Sequence, residues 1–305
     1  MGLIKIKTSK FAQSSNIANV NKTINVSKLD IIRSIITVGY IGGLHFPLNY
    51  SSEFIWRIKS FSGLLYTIEK KDNKWKLKDF TKRIDKSNKA IISYHYGMVF
   101  TKLVAEKIMN IPWLRNIDEM IMIGDATISN GTSKRGDLAG LDNHYNWHVI
   151  ESKGRSNTPE KGLMKKAKNQ SKKIIKIQGK PPFTASGSIV SLSPHPIKVE
   201  IEDPPIDKYG KELNFENSLF FEGYYRTISS LLNFYGSYVT EYNNYNYNVL
   251  NFEINNKKWE MGLLHSIHKN VGNAYEIIKD FSVKEVSEGE NISIGSDGII
   301  LRIYG

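Results

Sequence analysis

The chain has 305 residues, 40% of them hydrophobic, enough for one large or two small domains with a sizeable core. A formal net charge of +12 suits a polyanionic partner, although an excess of Lys, Ile and Asn is also what an A- and T-rich genome produces. The absence of cysteine excludes disulfides and thiolate metal sites and points to a reducing cytoplasm, no run approaches the ~18 apolar residues of a membrane span, and Met1–Lys10 lacks the apolar core of a secretion signal.

Residues 1–29 are polar, with Ser, Asn, Lys and Thr clusters, and read as a loosely ordered start. Apolar runs follow at Leu29–Tyr40 and Phe54–Ile68, and the alternation over Phe54–Lys78 predicts a hairpin turning at Lys71-Asp72-Asn73-Lys74. Residues 94–110 have helical period, with Phe100, Val104 and Ile108 in one row. Asp118–Gly124 reads as a short strand and Asp125–Gly136 as a polar loop. Leu138–Leu141 and Trp147–Ser152 then read as a hairpin joined by Asp142–Asn146. Pro159–Gln178 reads as a helix whose Lys161, Lys165, Lys168, Lys172 and Lys176 share one face. Strands are expected at Ser186–Leu192 and Ile197–Ile201, and a helix over 215–235. A Tyr- and Asn-rich segment, Tyr235–Asn248, precedes a strand at Val249–Ile254, a helix near Val271–Phe281 and a last hairpin of Asn291–Ile294 with Gly298–Ile303. The central order of helix, strand, strand, strand, helix, strand predicts an α/β core over residues 89–205. Residues 1–88 form an N-terminal α+β region of unknown role, and residues 206–305 a C-terminal α+β region suited to a specificity, dimer or partner surface. No Gly-rich run ends in Gly-Lys-Ser/Thr, so any nucleotide-driven motor belongs to another chain.

The chemistry concentrates in Lys134–Arg155. Glu151 and Lys153 alternate with Ser152 on a strand and so share a face, while Asp137 arrives from the preceding turn. Two carboxylates beside an ammonium can bind a divalent cation and hold a water next to it, the minimum for metal-assisted phosphodiester hydrolysis. Asp142 competes with Asp137 for the ligand role, but acidic residues are common in turns and Asp137 is preferred. His148 lies an odd number of residues from Glu151 and faces the other way. Lys134, Arg135 and Arg155 flank the carboxylates and could grip phosphates, as could Lys161, Lys165, Lys168 and Lys172, whose alternative is a solvated helix face.

Taken together these residues resemble the PD-(D/E)XK nuclease superfamily, the restriction-endonuclease-like fold, over roughly residues 94–205. Arg135-Gly136-Asp137-Leu138 stands for its first acidic element, with Gly136 at the usual proline, and Glu151-Ser152-Lys153 for its second. Gly97-Met98-Val99-Phe100 is similar to its Gly-x-x-Phe-Glu helix pattern, with Thr101 where the family's accessory Glu falls. Glu106 is the nearest substitute, and Gln170 matches a glutamine of several branches. The resemblance implies a central mixed sheet flanked by helices. It also implies Mg²⁺, replaceable by Mn²⁺, on Asp137, Glu151 and the Ser152 carbonyl, with Lys153 catalytic and Gln170, Glu106 and Asp142 as accessory positions. The expected function is a DNA endonuclease of restriction or anti-phage defence, acting on double-stranded DNA as a homodimer or with a separate helicase, ATPase or sensor subunit. The alternative is a non-catalytic nucleic-acid-binding or assembly subunit that keeps the fold.

Overall fold

The structure, a computed structural model, describes residues 1–15, 17–38, 63–129, 135–193, 196–204, 210–254, 256–279 and 290–304. Lys134, residues 54–62 of the expected hairpin and residues 280–281 of the expected late helix lie outside the described residues. In chain order the elements are β1 (Gly2–Ser9), β2 (Asn21–Val26), α1 (Lys28–Thr37), β3 (Ile68–Lys71), β4 (Lys74–Leu77), α2 (Lys86–Met109), β5 (Trp113–Asn116), α3 (Ile117–Met122), β6 (Ala126–Ile128), β7 (Leu138–Leu141) and β8 (Trp147–Arg155). They continue with α4 (Leu163–Ser171), β9 (Ile174–Ile177), β10 (Thr184–Ser191), β11 (Lys198–Glu202), β12 (Lys211–Phe215), α5 (Asn217–Phe234), β13 (Tyr238–Tyr242), β14 (Tyr245–Ile254), β15 (Lys257–Leu264), α6 (His265–Lys269), α7 (Ala274–Lys279), β16 (Ile292–Ile294) and β17 (Ile299–Tyr304).

The class is α/β, with a large, curled, mixed sheet flanked by helices. Its order is β3-β4-β1-β11-β10-β8-β7-β5, with β2 paired to β1. Strands β5, β7 and β8 form an antiparallel meander, and β10 runs parallel to β8 in the register Gly187↔Glu151 and Ser188↔Ser152. A parallel neighbour requires a crossover, and the segment between β8 and β10 carries α4. Every residue of β10 is buried, as befits a strand covered on both faces. Helix α2 covers the face of Ser152 and Gly154; α4 covers the other, where its Ala167 and Lys168 abut Gly187.

Local chemistry fixes the helix starts. Ser27 caps α1 in a reciprocal box with Asp30, both bonds at 2.9 Å. Asp85 caps α2 by accepting from Asn88 N at 2.9 Å, and Asn110 ends it in the left-handed region at φ 55°. The β3–β4 hairpin turns through Asp72 and Asn73, both at positive φ, where short polar side chains are tolerated.

Two hydrophobic clusters result. One joins Ile4, Ile6, Phe100, Ile150, Val190 and Val199 between the sheet and α2. The other joins Trp113, Trp147 and Val149 to α5 and to the five-stranded sheet β13-β14-β15-β17-β16. A buried charge cluster links the same regions. Arg33 of α1 pairs with Glu106 of α2 at 2.7 Å and with Asp297, just before β17, at 3.3 Å; Lys102 approaches Glu106 at 3.4 Å.

The structure departs from the sequence expectations in several places: residues 63–67 of the expected hairpin are helical, and Ala126–Ile128 of the expected polar loop is strand β6. Residues 1–15 and 17–29 are built around β1, whose buried Ile4 and Ile6 alternate with exposed Lys5 and Lys7; the polar row is only its outer side. Asp118–Gly124 lies largely in a helix, α3, because Asn116 accepts from Glu119 N at 3.0 Å and the first turn is acidic; the strand, β5, comes just before it. Helix α2 starts at Lys86, well before residue 94. The helix expected over Pro159–Gln178 is only Leu163–Ser171, since Ile174 and Ile177 are buried in strand β9 beside β12. Lys176 is therefore on a strand, and the five lysines do not share a helix face.

Candidate functional site

The β7–β8 ladder ends at the rung Leu138↔Ile150, and there the two strands separate. Asp137, immediately before β7, holds this fork from both sides. Its carbonyl accepts from Ile117 N at 2.9 Å, and its Oδ2 accepts from Ser152 N at 2.9 Å. The carboxylate thus takes the donor that the departing strand no longer satisfies. One residue on either side of Ser152, Glu151 and Lys153 project on the same face. Glu151 is fully buried, and Lys153 Nζ rests against its Oε1.

The carboxylates do not ionise freely. Burial, followed by the charge of Asp137, pushes the Glu151 carboxyl up to about 8 against the pull of Lys153. Burial also raises Asp137, opposed by Lys153 and the Ser152 N–H. Among the described residues, no N–H other than the Lys153 ammonium reaches the buried oxygens of Glu151. A buried and a half-buried carboxylate that share too little positive charge make a hard-oxygen donor set, and one or two carboxylates plus waters are what Mg²⁺ takes. Among the described residues no group of three or more His, Cys, Asp and Glu side chains is arranged to hold a metal, so the donor set stops at this pair.

Asp137, Ser152 and Lys153 open into a cleft of about 580 Å³. Its second wall is the first half of α2, with Lys86, Lys89, Ala90, Ser93 and Tyr94; Arg155, Ser156 and Asn157 close the end. Burial first, then the charges of Asp137 and Asp118, push the Tyr94 phenol up to about 12. Lys86, Lys89, Ala90 and Ser93 went unnoticed in the sequence because the helix starts before residue 94, where its apolar period begins. The sign was there in the Asp85 cap and in the spacing 86, 89, 90, 93, 94, 97, which follows one helical stripe.

Other expected residues lie elsewhere. Asp142 closes the β7–β8 turn, accepting from His144 N and Asn146 N at 2.8 Å each and facing His148 Nε2 at 3.2 Å. His148 Nδ1 lies 2.8 Å from Thr184 Oγ1. This carboxylate–imidazole–hydroxyl line looks like nucleophile chemistry, but all three side chains are buried, so it holds strands together. Glu106 is committed to Arg33 and Lys102, and Thr101 bonds the hydroxyls of Ser152 (3.1 Å) and Ser188 (2.7 Å). Gln170 is half-buried on α4, outside the cleft lining. Arg135 pairs with Asp118, and Lys168 with Glu202 at 2.7 Å. Lys161 and Lys165 are exposed near the start of α4, and Lys172 is half-buried just past its end. Arg155 does line the cleft, donating to the Gly154 carbonyl at 2.9 Å.

Among the described residues no helix is long and apolar enough to cross a membrane, which leaves strand-built membrane proteins unaddressed. No protein-family model matches the sequence, and neither the curated proteins nor the solved structures compared with it include a match.

Proposed function

We propose that the chain is a divalent-cation-dependent nuclease of the PD-(D/E)XK kind, cutting DNA with Asp137, Glu151 and Lys153. The observation that carries this reading is the convergence of two hard-to-ionise carboxylates, buried Glu151 and half-buried Asp137, with Lys153 at the β7–β8 fork, where Asp137 and Lys153 line a cleft walled by Lys86, Lys89 and Arg155. The order α2, β5, β7, β8, α4, β10, with β10 parallel to β8, supports the same fold assignment.

Asp137 and Glu151 are the residues that would hold Mg²⁺, with the Ser152 carbonyl as a further candidate, and the bound cation would polarise the scissile phosphate and acidify a water. Glu151 must lose its proton to bind a cation, so affinity rises with pH up to about 8. Lys153 is less tightly held by Glu151 once that carboxylate has a cation; its ammonium then orients the attacking water and stabilises charge on the phosphate. The lysines of α2 and Arg155 hold neighbouring phosphates. The role in restriction or phage defence, with duplex DNA as substrate and a partner subunit or second copy, is the setting this chemistry suits.

The test is incubation of the purified chain with supercoiled plasmid, linear duplex and single-stranded RNA in Mg²⁺, Mn²⁺ or EDTA. Lys153→Ala and Glu151→Gln should each lower metal-dependent cleavage by more than ~100-fold. Equal cleavage by wild type and both variants would assign it to a contaminant. No cleavage, together with no calorimetric Mn²⁺ binding, would overturn the reading.

A further inference from the structure

Tyr94 is 39% exposed, lies one turn before Gly97 on α2 and lines the same cleft as Asp137 and Lys153. Its place is set by backbone contact. A Cβ on Gly97 would stand 2.7 Å from Gly154 N, and a Cβ on Gly154 would collide with the carbonyl oxygen of Ser93, the residue next to Tyr94. With glycine at both positions, α2 lies directly on β8, and the ring is held at a fixed offset from Lys153.

The phenol O–H can donate as well as accept, and among the described residues no hydrogen bond takes its proton.

We propose that Tyr94 is a catalytic residue of this site, its O–H donating a hydrogen bond to a non-bridging oxygen of the scissile phosphate from the α2 wall. The proposal rests on the nuclease reading of the cleft. Charge grows on those oxygens as water attacks, so a donor fixed in advance gains strength in the transition state. A neutral donor also suits this position better than a lysine, because it adds no charge to compete with a cation for Asp137 and Glu151.

The test compares Tyr94→Phe and Tyr94→Ala with wild type on whichever substrate wild type cleaves. Tyr94→Phe should lower kcat by about 10- to 100-fold with KM within about twofold, less than the loss of a fully enclosed oxyanion donor. A fluorescein-labelled phosphorothioate oligonucleotide in EDTA, followed by anisotropy, should bind Tyr94→Phe within about twofold of wild type, which places the loss in the transition state. If Tyr94→Phe is fully active while Tyr94→Ala is impaired, the ring stacks on a base and the proposal fails. A binding loss equal to the loss in kcat/KM also overturns it. If wild type cleaves, Lys153→Ala is dead and Tyr94→Phe is normal, this proposal alone falls. A wild type that neither cleaves nor binds Mn²⁺ removes the nuclease reading with it.

Discussion

Glu151 carries a cost that pH makes measurable. Its carboxyl titrates near 8 when folded and near the ordinary 4.5 when unfolded. Between those values the folded chain holds a proton that the unfolded chain has released, so the contribution of Glu151 to stability is fullest below about 4.5 and is lost as pH rises towards about 8. Buried His95 acts with the opposite sign: burial lowers its pKa, so its contribution improves as pH rises through the imidazole range. The comparison with Glu151→Gln separates the two. In EDTA, the urea midpoint of wild type should fall between pH 5.5 and 8.5 relative to that of Glu151→Gln, and Mn²⁺ should recover the difference at the upper pH. Parallel midpoints would mean that Glu151 is not buried beside Asp137. The trio itself was legible in the sequence, because strand parity puts Glu151 and Lys153 on one face and Asp137 opens the paired strand. Tyr94 was not, because nothing local to it announces that Gly97 and Gly154 bring α2 against β8.

Elements that bury one continuous apolar row were read well. Leu138–Leu141 was placed with its observed ends, and the expected helix over 215–235 is α5, Asn217–Phe234. Elements whose first turns are solvated were not. The opening turns of α2 carry Lys86, Ser87, Asn88 and Lys89, a composition that resembles a loop until the Asp85 cap is noticed. The lysine row after Pro159 erred in the other direction, since charge periodicity alone does not make a helix and buried Ile174 and Ile177 favour a strand. The distinction has a consequence for binding. Lys86 and Lys89 line the cleft, whereas Lys161 and Lys165 are exposed near the start of α4 and outside that lining. Replacing Lys86 and Lys89 together by Ala should reduce the slope of log Kd against log salt by roughly 1.4 to 1.8, the value for two phosphate contacts on single-stranded or duplex DNA. Lys161→Ala with Lys165→Ala should leave the slope nearly unchanged. The measurement is anisotropy across a NaCl series in EDTA, and the reverse ranking would put the nucleic acid on α4.

At the scale of the whole molecule, sequence periodicity says least, because the contacts that matter join distant segments. β1 pairs in parallel with β11 from Lys5↔Lys198 to Ser9↔Glu202, a link across most of the chain that no local pattern encodes. The buried charges do the same for the other end. Arg33, Glu106, Lys102 and Asp297 are all buried, and they tie α1, α2 and the turn before β17 into one network. Burial works against ionisation there, but Arg33 and then Lys102 hold the Glu106 carboxyl down at about 2. Its contribution is therefore complete above the ordinary carboxylate value of 4.5 and is lost as pH falls towards 2. Removing one member leaves the others charged and dry, which costs far more than the pair itself contributes. Arg33→Met should destabilise the chain by about 3–5 kcal/mol at pH 7. Because the network spans α1, α2 and the C-terminal sheet, the loss should appear as one shifted urea transition, followed in parallel by tryptophan fluorescence and far-ultraviolet circular dichroism. Adding Glu106→Gln to Arg33→Met should cost much less than it does alone, since the buried charge it removes has already lost its partner. Two separate transitions would show that the C-terminal sheet unfolds independently of α2 and the cleft it walls, and strict additivity of the two substitutions would show that Arg33 and Glu106 do not interact.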